Sequence, residues 1–277
     1  MITDILVNIP ADGSQGPATA FAISTATELK AHLTGLAFRY EPIMPVMVDM
    51  YGIPPDVLQS QREENEKSAR AAVARFEAAA RDAAVSSETQ IVDAAVDAAP
   101  GMLASMARRF DLSVIAQPAP HQSALGRLFV EAALFESGKP LLVVPYIQTA
   151  ALKLGRVIVC WDGSRSAARA VGDAMPFLIR AQAVEVTVIS TEPAKSDEMP
   201  GADIAQHLAR HGAKVVLNRI TSAGMDIANT ILSRAADASA DFLVMGGYGH
   251  SRLREFILGG VTRGILASMT VPTLMSH

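Results

Sequence analysis

The sequence predicts an α/β protein of two tandem doubly wound domains, each a five-stranded parallel sheet with helices on both faces. Three observations carry that expectation. Short apolar runs alternate with alanine-rich helical runs along most of the chain. The tripeptide Asp-Gly-Ser occurs at 12–14 and again at 162–164, each time after an apolar run and before a helical one. Near the end, the apolar run 242–245 feeds a loop holding Gly246, Gly247 and Gly249. Like strands joined by helices need crossover connections, and crossovers make neighbouring strands parallel.

Taken in order, the first half reads as a strand at 4–9, a turn from Pro10 to Ser14, a helix over 18–32 and a second strand at 34–38. A third strand at 89–92, a helix over 101–109, and strands at 112–116 and 140–144 complete it. From Arg156 the pattern returns, with helices over 167–179 and 227–238, strands at 185–190, 215–219, 242–246 and 272–275, and a helical run at 261–268. Repetition of a whole series of elements in the same order marks a duplication. The expected domains are 1–147 and 154–277. The joining stretch, about 146–155, has no Gly/Ser-rich linker, so the domains are expected to pack together.

Two regions break the repeat. Residues 40–55 are rich in Met and Pro without a counterpart, which suggests a flap or a contact surface. The helix that follows interleaves Glu63, Glu64, Glu66, Lys67, Arg70, Arg75, Glu77 and Arg81 with alanines, the pattern of a solvated face. The corresponding part of the second half, 192–201, reads as a short polar loop.

Bulk properties narrow the function. A length of 277 residues, half of them hydrophobic, suits two cores. A net charge of −4 with scattered basic residues argues against nucleic acid as the partner. The single cysteine, Cys160, sits in an apolar run, so a disulfide framework is excluded, a reducing compartment fits, and a core role is expected. Asp4 stands where a signal peptide would be basic, and no apolar stretch reaches the roughly 20 residues that span a bilayer, so a cytoplasmic protein without membrane contact is expected. His207 and His211 are spaced i, i+4, but no acidic or cysteine ligand completes a metal set, and none is expected. Neither a Gly-x-Ser-x-Gly elbow nor a carboxylate pair offers hydrolytic chemistry.

The glycine loop offers binding chemistry instead. Glycines let backbone N–H groups approach an anion, and a helix N-terminus adds donors and partial positive charge, so phosphate suits the loop. It is not a Walker A loop, because no Gly-Lys-Ser/Thr follows. In a doubly wound sheet ligands sit at the carboxyl ends of strands where the order reverses, beside the first strand. If the first and fourth strands are neighbours there, Asp162 and the 246–249 loop flank one crevice. His250 and Arg252 follow the loop and carry charge-assisted donors for phosphate oxygens. Trp161 is expected to pack beneath a helix rather than on a base.

With these residues in view, the chain resembles the universal stress protein family, as a tandem two-domain member, over nearly its whole length outside 40–62. ATP-binding members carry Gly, two residues, Gly, nine residues, Gly and then Ser or Thr. Here Gly246, Gly249 and Gly259 keep that spacing, and Gly260 stands where the hydroxyl residue belongs. The missing donor is worth about 0.5–1.5 kcal/mol.

The resemblance implies a Rossmann-like, adenine nucleotide alpha hydrolase-like fold and ATP, ADP or AMP as ligand, with Mg²⁺ as companion ion. It places Asp162 and Gly163 beside the nucleoside and the Thr191 backbone at the adenine. The cradle for the phosphates is Gly246, Gly247, Gly249, Gly259, Gly260, Val261 and Thr262. In the first half the same loop reads Ala116-Gln-Pro-Ala-Pro120, without glycine and with two residues that lack an N–H, so one nucleotide site is expected per chain. The resemblance further implies pairing through fifth strands within the chain, a second pairing between chains as a homodimer, and an unidentified protein partner in a stress response. The alternative is a stress-associated interaction protein that binds no nucleotide. With no general base or positioned lysine, slow ATP hydrolysis is the most that catalysis would amount to.

Overall fold

The computed structural model describes all residues except 11–15, 43–53, 119–123, 191–199, 223, 225 and 248–259. The first half runs β1 (Asp4–Ile9), α1 (Pro17–Leu29), β2 (His32–Tyr40), α2 (Pro55–Asp82), β3 (Ser87–Ala94), α3 (Ala99–Ala107), β4 (Leu112–Ala116), α4 (Ala124–Glu136) and β5 (Leu141–Val144). The second half runs β6 (Arg156–Cys160), α5 (Arg165–Leu178), β7 (Ala183–Ser190), α6 (Ala202–Arg210), β8 (Val215–Thr221), α7 (Ile227–Asp237), β9 (Phe242–Gly246), α8 (Gly260–Ser268) and β10 (Thr273–Ser276).

All ten strands join one sheet in the order β3-β2-β1-β4-β5-β10-β9-β6-β7-β8. Each half therefore has its first strand between its second and fourth, with all neighbours parallel. The halves meet where β10 lies antiparallel to β5, with Leu274 opposite Leu142. The duplication extends to single hydrogen bonds: Asp111 Oδ2 accepts the Thr3 and Asp4 N–H groups at the start of β1, and Asp241 Oδ2 accepts the Arg156 N–H at the start of β6.

Strand residues alternate between the two faces, and each face carries one apolar cluster fed by both halves. On one face Phe21, Phe76 and Phe177 from α1, α2 and α5 cover Val7, Val114, Val159 and Val244. On the other, Leu103, Leu134, Ile231 and Ile265 from α3, α4, α7 and α8 cover Leu6, Ile158 and Leu243. Leu152 and Leu154 of the joining stretch pack against the first cluster, and the Leu152 N–H donates to Ser24 Oγ of α1 at 2.9 Å. The halves are thus packed together rather than tethered.

The structure refines several expectations. β3 and β8 are longer than the sequence suggests; as sheet edges they mix exposed and partly buried residues and lack a continuous apolar run. A short helix, α6, stands between β7 and β8 in the place that α2 takes in the first half, and Pro200-Gly201 lead straight into it. Residues 55–62 of the Met/Pro-rich insertion belong to α2, while 43–53 lie outside the described residues. So do the first Asp-Gly-Ser turn and the expected helical segment after Ser251. The charged face of α2 is solvated as its composition suggests: Arg39 pairs with Asp93 and Glu66, and Arg70 pairs with Glu66. Exposed pairs of this kind contribute about 0–1 kcal/mol each.

Among the described residues, Glu185 is the charged residue that is buried. Glu185 of β7, 3% exposed, accepts two hydrogen bonds of 2.7 Å from Arg234 of α7, and further bonds from Asn218 and Thr187. Arg156 adds a fourth element to the group at 3.6 Å. The Arg234 guanidinium, helped by those two neutral donors, holds the carboxyl at about 2 instead of 4.5 despite its burial. A depressed carboxyl stabilises the fold above its unfolded value and loses that contribution as pH falls toward the folded one, here from about 4.5 to 2, a term of about 3 kcal/mol. Arg234→Ala, which strands the buried carboxylate, should lower unfolding stability in urea at pH 7 by about 3 kcal/mol. Glu185→Gln should flatten the loss of stability between pH 5 and pH 3, an effect read in the same titration.

Candidate nucleotide site

The order of the second half puts β6 beside β9, so the chain reverses its winding between them and both strands end on one side of the sheet. After β6, the Trp161 N–H still donates to the Thr187 carbonyl at 2.9 Å. The chain then turns sharply. Asp162 Oδ1 accepts the Ser164 N–H at 2.9 Å, Gly163 takes a left-handed φ of +74°, and Ser164 caps α5 by accepting the Ala167 N–H at 3.1 Å. In this second copy of the tripeptide the acid folds the turn, the glycine permits it, and the serine starts the helix.

Across the reversal, Gly246 ends β9 directly against that helix start. A Cβ at Gly246 would lie 2.6 Å from the Ala167 nitrogen and 2.7 Å from Ser166 Oγ, so only glycine fits. Gly247 continues the ladder, its N–H donating to the Ser276 carbonyl at 2.8 Å. Thus Asp162, Gly163, Gly246 and Gly247 are brought together around the first turn of α5. Gly249, His250, Arg252 and Gly259 lie outside the described residues, as does Thr191.

Gly260 opens α8 and is exposed, with nothing within 4 Å of the position its Cβ would occupy. Val261 packs against the second apolar cluster. Thr262 is 3% exposed, so its hydroxyl lies inside the protein rather than in open solvent.

Beside the Asp162 turn is an open cleft of about 560 Å³ whose walls are Trp161, Asp162, Gly163, Val188, Ile189 and residues 200–203 at the start of α6. Gly201 makes this wall possible: it takes a φ of +85°, and a Cβ there would meet Val188 at 2.7 Å and Leu217 at 3.0 Å. Sequence reasoning did not single out Val188, Ile189 or the α6 wall, although the Pro200-Gly201 dipeptide is a turn signal ahead of a helix. Trp161 does two things at once, packing against the first cluster and facing the cleft. The cleft brings together two carboxylates, Asp162 and Asp203, and no lysine or arginine among its described walls.

Cys160 is half-buried at the end of β6; burial, then Asp162 and Glu185, push its thiol to about 12, so it stays protonated near neutrality. The rings of His207 in α6 and His211 just after it are 4.6 Å apart, but among the described residues no cluster of three or more His, Cys, Asp or Glu could hold a metal. Also among the described residues, no helix is long and apolar enough to cross a membrane.

The first half differs at the equivalent strand end. Where the second half has Gly246 and Gly247, it has Ala116 and Gln117, and Pro118 rests on α4 with its Cβ 3.2 Å from where a Cβ at Gly126 would be. Gln117 is spent on the domain seam: its Nε2 donates to the Leu266 carbonyl of α8 at 2.8 Å, and its Oε1 accepts the Tyr146 N–H at 3.3 Å.

Residues 153–277 match the universal stress protein family. The whole chain is similar in fold to a universal stress protein from Archaeoglobus fulgidus DSM 4304, with a TM-score of 0.73 at 14% identity, covering 98% of this chain and 97% of the other. A functionally unknown protein from Pseudomonas aeruginosa PAO1 is similar with a TM-score of 0.58 at 17% identity, covering 99% of this chain and 92% of its own. No curated protein sequence matches the chain.

The packing of Gly246 gives a direct test. Gly246→Ala forces a methyl into the backbone of the first α5 turn, which cannot yield as a flexible side chain would, and should cost about 1–3 kcal/mol in urea unfolding. An unchanged midpoint would show that the turn and the strand end are not in contact.

Proposed function

We propose that this chain, whose residues 153–277 match the universal stress protein family and whose whole fold is similar to that of a universal stress protein, is a tandem member of that family and a stress-response regulatory protein that binds one adenine nucleotide in its second half. The observation that carries the proposal is the contact between Gly246 and the start of α5. It sets the root of a glycine loop with phosphate-cradle spacing against the Asp162 turn, at the reversal point of a parallel sheet, with an open cleft alongside.

In this reading the adenine lies in the cleft against Trp161, Val188 and Ile189, near the Thr191 backbone. Asp162 keeps one oxygen for the Ser164 N–H and offers the other to a ribose hydroxyl. The Gly249 and Gly259–Thr262 amides, with His250 and Arg252, face the phosphates. Mg²⁺, when bound with ATP, would supply positive charge between the phosphates and the Asp162 and Asp203 carboxylates, which the described cleft walls do not otherwise offset. Occupancy then changes how the domains pair or which surface a protein partner meets, in a cytoplasmic protein that pairs again as a homodimer. Regulation rather than turnover is the output in this reading, since none of the described residues beside the cleft is placed as a general base.

A second reading, an interaction protein without nucleotide, draws on two specific observations: Gly260 in place of the hydroxyl residue, and a cleft whose described charges are both negative. Equilibrium binding of labelled ATP separates the two. Saturable binding to the wild type, lost in Gly249→Asp because a carboxylate then faces the phosphates, is expected; no saturable binding to the wild type would favour the second. Because space is open at residue 260, Gly260→Ser should fold normally and tighten ATP binding by about 2–10-fold, the worth of one hydroxyl bond.

A further inference from the structure

We infer that Leu134 of the first half is a positioning residue for the nucleotide loop of the second half. The inference rests on the nucleotide reading above and names what holds that site in place.

Gly247, where the chain leaves β9 for the loop, is fixed on three sides. Its N–H donates to the Ser276 carbonyl at 2.8 Å, and its own carbonyl accepts from His277 Nδ1 at 3.0 Å. On its third side is the other half of the protein. Leu134 of α4 occupies the space a side chain would need, with Cδ2, Cδ1 and Cγ lying 3.0, 3.2 and 3.4 Å from the position of a Cβ. The neighbouring residue, Phe135, meets the His277 ring edge to face at 5.1 Å, so two adjacent residues of α4 bear on the loop root and on the side chain that holds its carbonyl. Leu134 is only 2% exposed and has little freedom to yield.

A second route ties the same strand end to the first half. Ser276 Oγ donates to Asp173 Oδ2 at 2.8 Å, Asp173 pairs with Arg169 at 3.3 Å, and Arg169 Nη2 donates to the Gly138 carbonyl at 2.6 Å. A phosphate cradle made of backbone N–H groups works only if its root is held to about half an ångström. Here one wall of that root belongs to the domain that lacks a cradle of its own.

The test is a size exchange in the full chain. Gly247→Ala places a methyl against Leu134, and labelled ATP should bind about tenfold more weakly, equivalent to one charge-assisted hydrogen bond out of register. Leu134→Ala should also weaken binding, by opening the wall. The double variant, in which the two changes compensate, should recover to within about threefold of wild type. Affinities are referred to the folded fraction, and Leu134→Val replaces Leu134→Ala if the latter does not fold. A purely structural role would lower the stability of every variant and leave the affinity of the folded fraction at its wild-type value, and that result overturns the inference. Hydrogen exchange at the Gly247 amide without nucleotide provides a ligand-free arm. If the wild type binds no ATP, the proposed function fails, and exchange alone decides whether Leu134 holds the loop root: acceleration at Gly247 in Leu134→Ala beyond that of the central-strand amides upholds that contact, and acceleration no greater than theirs overturns it.

Discussion

The antiparallel pairing of β5 with β10 is the constraint on which the rest of the architecture depends. Each half would otherwise expose its fifth strand, four fully buried residues long, as an open sheet edge. Pairing them satisfies both edges inside one chain and makes a single sheet with two apolar faces that run through both halves. It also places α4 and α8 on the same face of the seam. From there each reaches the other half's fourth-strand end: Gln117 meets the Leu266 carbonyl of α8, and Gly247 meets the Leu134 side chain of α4.

Within that frame the duplicated units have diverged at their strand ends as well as between the second and third strands, where α2 faces the much shorter α6. The starting bonds made by Asp111 and Asp241 are still equivalent, and so are the ladder bonds from the Gln117 and Gly247 amides to Val144 and Ser276. What differs is the room available beyond them. The second half has two glycines with no space for side chains, and an open cleft against α6. The first half has Pro118 on α4 and a glutamine committed to the seam. The scaffold was copied, and the two copies differ at the end of the fourth strand.

Much of this was legible in the sequence for a physical reason. β1, β4 and β9 are central parallel strands, buried on both faces, and such strands read as unbroken apolar runs, so their limits matched the expectation residue for residue. The edge strands β3 and β8 read short in the sequence because most of their residues are exposed or polar. Glu185 sat unnoticed inside a strand pattern, since Asn218 and Arg234 lie far along the chain and only the fold assembles them. The cleft wall at 200–203 was missed likewise: Gly201 earns its place by its fit against Val188 and Leu217, and sequence spacing does not encode that contact. The Asp-Gly-Ser repeat and the glycine loop are legible in the sequence because their chemistry is local.

The unlike residues at the seam also determine which halves can pair. Leu134 fills the volume that any side chain at position 247 would need, and Gln117 holds the equivalent position in the first half. Two first halves brought together by the same geometry would drive Leu134 of each into Gln117 of the other. Two second halves would set glycine against Leu266 and leave its carbonyl without the Gln117 amide. Each half therefore has a better partner in the other than in a copy of itself, and when many chains fold side by side this difference favours closure within one chain over the exchange of halves between chains.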